Sequence, residues 1–201
     1  MKSIPFLLIY TRIVVAVIIG FLAFYSKSVL INYWIVGLMV FGLLTDVFDG
    51  IVARKLNVSS EKLRIWDSNV DQFFWLVVIS SIFYLNFPFI QENYWGIVFI
   101  AILEFCCYVI SYLKFRKPIA THSIFAKLWT LSLLAFLIDL TINNTSSIAF
   151  FICIVLGVIS RSEIILIVLT LKKWTTDIPS IFVVSKINNG IPIKKNTLFN
   201  G

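Results

Sequence analysis

The chain has 201 residues, of which 60% are apolar and only 13% charged, and its formal net charge is +7. Ordinary soluble domains are about half apolar and a quarter charged, so a water-soluble globule is excluded, and a mean hydropathy of +0.97 makes lipid the main solvent. At about 20 apolar residues per crossing, the length allows about six spans within one domain.

Apolar segments fall at 6–25, 29–48, 70–90, 94–113, 124–142 and 148–171, separated by short polar or charged stretches. Backbone groups cannot stay unpaired in hydrocarbon, so each segment is expected to be a helix. The fold class is therefore an all-α integral membrane protein with six transmembrane helices and a short N-terminal interfacial segment. Arg12 interrupts the first run and no small-residue cleavage site follows it cleanly, so this helix is expected to stay rather than be removed as a signal. Cys106, Cys107 and Cys153 lie inside apolar stretches without C-x-x-C spacing or a nearby histidine, and read as packing residues. Residues 1–171 form the catalytic transmembrane domain in this reading. Residues 172–201, which mix Lys, Asn and Pro, form a basic cytosolic or interfacial tail.

Basic residues orient the chain, because cytoplasmic loops retain them in excess. With the N-terminus inside, Arg54, Lys55, Lys62 and Arg64 share one inner loop and Lys114, Arg116 and Lys117 the next, whereas only Lys27 falls in an outer connection. Lys172, Lys173, Lys186, Lys194 and Lys195 complete the inner set. Topology and anionic headgroups account for the positive charge; no nucleic acid partner is needed.

Two pairs of acids carry the chemistry. Asp46 and Asp49 lie at the inner end of the second segment, and Asp67 and Asp71 at the start of the third. Spacings of i,i+3 and i,i+4 put each pair on one helix face. The connection between them is short, so the helices are expected to be antiparallel neighbours whose four carboxylates meet at one depth. Such a group cannot remain fully ionised without cations, and hard oxygen ligands suit Mg²⁺ or Mn²⁺. The competing reading is four ordinary helix-end acids facing water, which fits Asp67 near a helix N-terminus better than it fits Asp46 or Asp49.

Residues 46–71 resemble the signature of the CDP-alcohol phosphotransferase family, D-x2-D-G-x2-A-R-x8-G-x3-D-x3-D. Asp46, Asp49, Gly50, Ala53, Arg54, Asp67 and Asp71 are in register, and Leu63 replaces the second glycine. Ile4-Pro5 with Arg12 is similar to the family's opening segment, P-N-x-L-T-x2-R, with Phe6 and Ile9 in place of its Asn and Thr. Ser123 to Thr130 resembles S-x2-G-K-x2-T, with Ala126 for the glycine. The resemblance implies a homodimer of six-helix subunits with a cytosol-facing polar cavity. Asp46, Asp49 and Asp67 would hold a pair of Mg²⁺ or Mn²⁺ ions, with Asp71 completing the second ion and acting as general base. The substrates implied are a CDP-linked lipid and a small polar alcohol, and the small single-domain chain suits a bacterial inner membrane.

Gly50 and Ala53, one turn apart, could leave a groove through which a nucleotide reaches the backbone, or could serve helix packing. Arg54 would pair with phosphate or order an aspartate; it equally fits a positive-inside anchor. Ser123, Lys127 and Arg161 are candidates for binding the acceptor, with a basic set that favours a phosphorylated alcohol such as glycerol 3-phosphate or inositol phosphate; snorkelling is the plain alternative for Lys127 and Arg161. Glu104, near the middle of the fourth segment, is expected to face the interior. The function expected is phosphatidyl transfer from CDP-diacylglycerol with release of CMP. Its rivals are a carboxylate-lined divalent-cation transporter and a non-catalytic membrane homologue.

Overall fold

The computed structural model describes residues 4–25, 28–56, 61–119, 121, 123–176 and 178–191. Among these the regular structure is all helical, with no strand. The helices are α1 (Ile4–Tyr25), α2 (Val29–Lys55), α3 (Glu61–Leu85), α4 (Phe87–Glu92), α5 (Tyr94–Phe115), α6 (Ile124–Asn143), α7 (Ile148–Thr170) and α8 (Val184–Asn188). Six of them, α1 to α3 and α5 to α7, are long and apolar enough to cross a membrane. Their outward side chains include Phe24, Leu30, Trp95, Phe105, Leu113 and Ile148, all exposed. An apolar surface of that extent is a liability in water and a requirement in lipid; the protein is an integral membrane protein.

Helix ends depart from the hydropathy boundaries in two places. Helix α2 continues to Lys55 and α3 begins at Glu61, so both acid pairs lie on continuous helix rather than beside a loop. Hydropathy falls where the acids begin, but the backbone has no reason to leave the helix there. The third apolar run, expected to reach residue 90, instead breaks at Asn86, whose amide and side chain both bond to the Ile82 carbonyl at 3.0 Å. Pro88 lacks an N–H and so is suited to the first turn of a new helix, which is where it begins the short α4.

The described fold divides into two compact units, residues 1–93 with 134–149, and residues 94–133 with 150–201. In the first, α1 packs along both α2 and α3, which touch each other more sparingly. The expectation that α2 and α3 are simple neighbours therefore omits the helix that joins them. Ile9, Ala53, Leu63 and Val70 form a buried apolar cluster from all three helices. Where α2 and α3 do meet, Gly42 lies against the ring of buried Phe74, and a Cβ there would clash with Phe74 Cζ.

In the second unit, the chain after α7 folds back on it. Ile178 and Val184 are fully buried against Ile167 and Leu171. Asn188 ties α8 to the end of α7, accepting from the Lys172 amide and donating to the Thr170 carbonyl, each at 2.9 Å. Residues 192–201, which include Lys194 and Lys195, lie outside the described residues.

Overpacking a close helix contact costs about 1–3 kcal/mol. Gly42→Ala is thus expected to lower the melting temperature in detergent, and Phe74→Leu in the same chain to restore part of the loss. Additive losses in the double variant would show that the two positions do not press on each other.

Candidate active site

Three helices of the first unit build one charged centre. Asp46 and Asp49 project from successive turns of α2, Asp67 and Asp71 from successive turns of α3, and Arg12 from the middle of α1. Arg12 is fully buried, Asp49 and Asp67 are nearly so, and the Asp46 and Asp71 side chains keep 34% and 23% exposure. Through Asp46 and Asp71 the centre thus stays partly open.

Arg12 bonds to all four acids. Its Nη1 donates to Asp46 Oδ1 at 3.0 Å and contacts Asp71 Oδ1; its Nη2 donates to Asp67 Oδ1 at 2.5 Å and to Asp49 Oδ2. A guanidinium can do this where an ammonium could not, since its donors lie in a planar fork. Arg64, buried one turn before Asp67, adds a second positive charge that acts on Asp49.

One carboxylate oxygen each from Asp46, Asp49 and Asp67 lies within 4.8 Å of the others. Three hard oxygens at that spacing, with an open side for water or phosphate oxygens, are the donor set expected of Mg²⁺ or Mn²⁺. The residues therefore fit a divalent ion. Asp71 joins the group through Arg12 rather than through that triangle.

The remaining candidates divide. Gly50 is half-buried on α2, and Ala53 lies in the apolar cluster with Ile9, Leu63 and Val70. Leu63, at the position where the resembled signature has glycine, turns its side chain into that same cluster, filling the seam among α1, α2 and α3. The Arg54 side chain and His122 lie outside the described residues.

Ser123, Lys127 and Arg161 belong to the second unit. Ser123 is buried and its hydroxyl accepts from the Ala126 amide at 3.1 Å, capping the start of α6. Lys127 is half-buried on the first turn of the same helix. Arg161 does not reach for the interface: its Nε lies 2.7 Å from Glu104 Oε2, and its guanidinium stacks 4.0 Å from the Trp129 ring. Gly157, one turn before Arg161, makes room for that indole, for a Cβ there would lie 2.7 Å from Trp129 Nε1. Glu104 thus has a partner on another helix, and Glu163, two residues after Arg161, accepts from the Ile181 amide at 3.3 Å.

Local sequence did not assign Arg12 to the acids. The signal available was a charged residue breaking an apolar run, which calls for a buried partner of opposite sign.

A family model described as CDP-alcohol phosphatidyltransferase matches residues 2–184. No curated protein and no solved structure matches the chain.

Breaking a buried ion pair costs about 3–5 kcal/mol, because the surviving charge loses its compensation, whereas removing both partners is far milder. Glu104→Leu and Arg161→Met are each expected to destabilise the protein by about that amount, and the double variant by less than either. Thermal unfolding in detergent reads the comparison. Additive single effects would show that the pair is not coupled.

Proposed function

The chain belongs to the CDP-alcohol phosphatidyltransferase family, and from that membership we propose that it moves a phosphatidyl group from CDP-diacylglycerol to a polar alcohol, releasing CMP. The observation that carries this reading is the convergence of Asp46, Asp49, Asp67 and Asp71 on one buried point with an open side. Clustering at a single point suits a reaction centre better than a cation pathway, which needs acids at successive depths.

Asp46, Asp49 and Asp67 would hold the divalent ions, two of them in this reading. Bound there, Mg²⁺ or Mn²⁺ would neutralise the diphosphate and polarise the attacked phosphorus. Asp71, with its more exposed carboxylate, would complete the second ion's ligands and take the proton from the acceptor hydroxyl as the new P–O bond forms. The bond from that phosphorus to CMP then breaks, and CMP leaves with the electron pair.

Gly50 and Arg54 are our candidates for the nucleotide and diphosphate, with Ala53 lying beside them on the same turn of α2. For Ala53 the packing role is the one its neighbours support. Ser123, Lys127 and Arg161 remain the proposed acceptor residues, with the Arg161 guanidinium shared with Glu104; the basic residues expected there from sequence are what favour a phosphorylated alcohol. Basic residues in alternate connections favour a site facing the cytoplasm; the family resemblance implies a second copy of the chain as partner, and the small chain suits a bacterial inner membrane.

Purified protein given CDP-diacylglycerol, Mg²⁺ and separate candidate alcohols is expected to release CMP with one of them. General-base groups contribute about 10²–10⁴-fold, so Asp71→Asn should reduce CMP release by at least about 100-fold while the melting temperature stays near that of the parent. Full activity in that variant would remove Asp71 from the role of base.

A further inference from the structure

A charge buried in a membrane helix needs a reason, and Arg12 has four. Its guanidinium is fully enclosed and engages one oxygen of each acid, Asp46 Oδ1, Asp49 Oδ2, Asp67 Oδ1 and Asp71 Oδ1. Those acids come from two helices, and α1 packs along both. Arg12 is thus the group that holds the acids of α2 and α3 within reach of one another.

It also stands in the way. Among the described residues the four carboxylates face two guanidiniums, Arg12 and Arg64, so the centre has room for a further cation. Yet the point at which Asp46, Asp49 and Asp67 could share an ion is one whose oxygens Arg12 already engages. A divalent ion at that point would compete with Arg12 for carboxylate lone pairs and feel its positive charge at a few ångströms, where unit charges interact strongly even at an effective dielectric of about 20.

We propose that Arg12 is the resident counter-cation of the metal-free centre: it keeps the four acids gathered, gives up part of its contacts when a divalent ion enters, and thereby sets the affinity for that ion. The inference rests on the metal-binding reading given above. Arg12 acts through the acids and is a positioning residue. A side chain that were only structural would stabilise the protein without competing with the metal, and metal affinity separates the two.

The test uses full-length protein in detergent, with Mn²⁺ alone as the titrant. Dissociation constants come from calorimetry, and melting temperatures are taken in chelator and in saturating Mn²⁺. Arg12→Gln keeps a hydrogen-bonding amide but no charge. It should melt lower than wild type in chelator, bind Mn²⁺ at least about tenfold more tightly, and gain a correspondingly larger thermal shift from the ion. Arg12→Lys retains the charge but not the fork. It is expected to fall between the two, and it carries the test alone if the glutamine variant does not fold. Mn²⁺ affinity equal to or weaker than wild type in these variants would overturn the proposal while leaving the metal reading intact. Binding by neither wild type nor variants would overturn both.

Discussion

Four carboxylates gathered inside a membrane bundle repel one another and resist desolvation, and the arrangement of the first unit answers that cost. Arg12 reaches all four from α1, and Arg64 adds charge from α3. Removing Arg12 from such a group leaves buried acids without compensation, which is far more costly than the net worth of the intact set. The acids, the arginines and the three-helix packing therefore depend on each other.

Packing supports the charge geometry. Ile9 lies three residues before Arg12 on α1 and shares a buried cluster with Ala53, Leu63 and Val70, so the polar centre is flanked by an apolar seam built from the same helices. Leu63 fills space that a glycine would leave open, tying α3 to α1 and α2 close to Arg64 and Asp67. The second unit handles its buried charge differently. There the Glu104–Arg161 pair is covered by the Trp129 face, and buried Glu163 accepts a backbone amide instead of joining further acids.

The six spans were legible because lipid enforces long apolar runs. Their ends were less so: α2 and α3 extend past the hydropathy limits, since polar residues paired inside a bundle leave the helix intact while lowering its hydropathy. The acids were legible from spacing alone. Arg12 was visible only as a break in an apolar run, because which face of α1 meets α2 and α3 is a tertiary fact that no local pattern encodes. Glu104 and Arg161 stood out as intramembrane charges for the same reason, and their pairing across distant helices was hidden in the same way. Pro88 did carry a local signal for the break after α3, overridden in the hydropathy reading by apolar residues on both sides.

Membership of the CDP-alcohol phosphatidyltransferase family supplies the class of reaction, and the charged centre is the place we propose for it. The two meet in one physical statement, that acids of α2 and α3 share a divalent cation. Anomalous diffraction from crystals grown with Mn²⁺ tests it most directly. A Mn²⁺ peak is expected at coordination distance from carboxylate oxygens of Asp46, Asp49 and Asp67 together. Fully occupied Mn²⁺ elsewhere, with those three side chains turned apart, would contradict it.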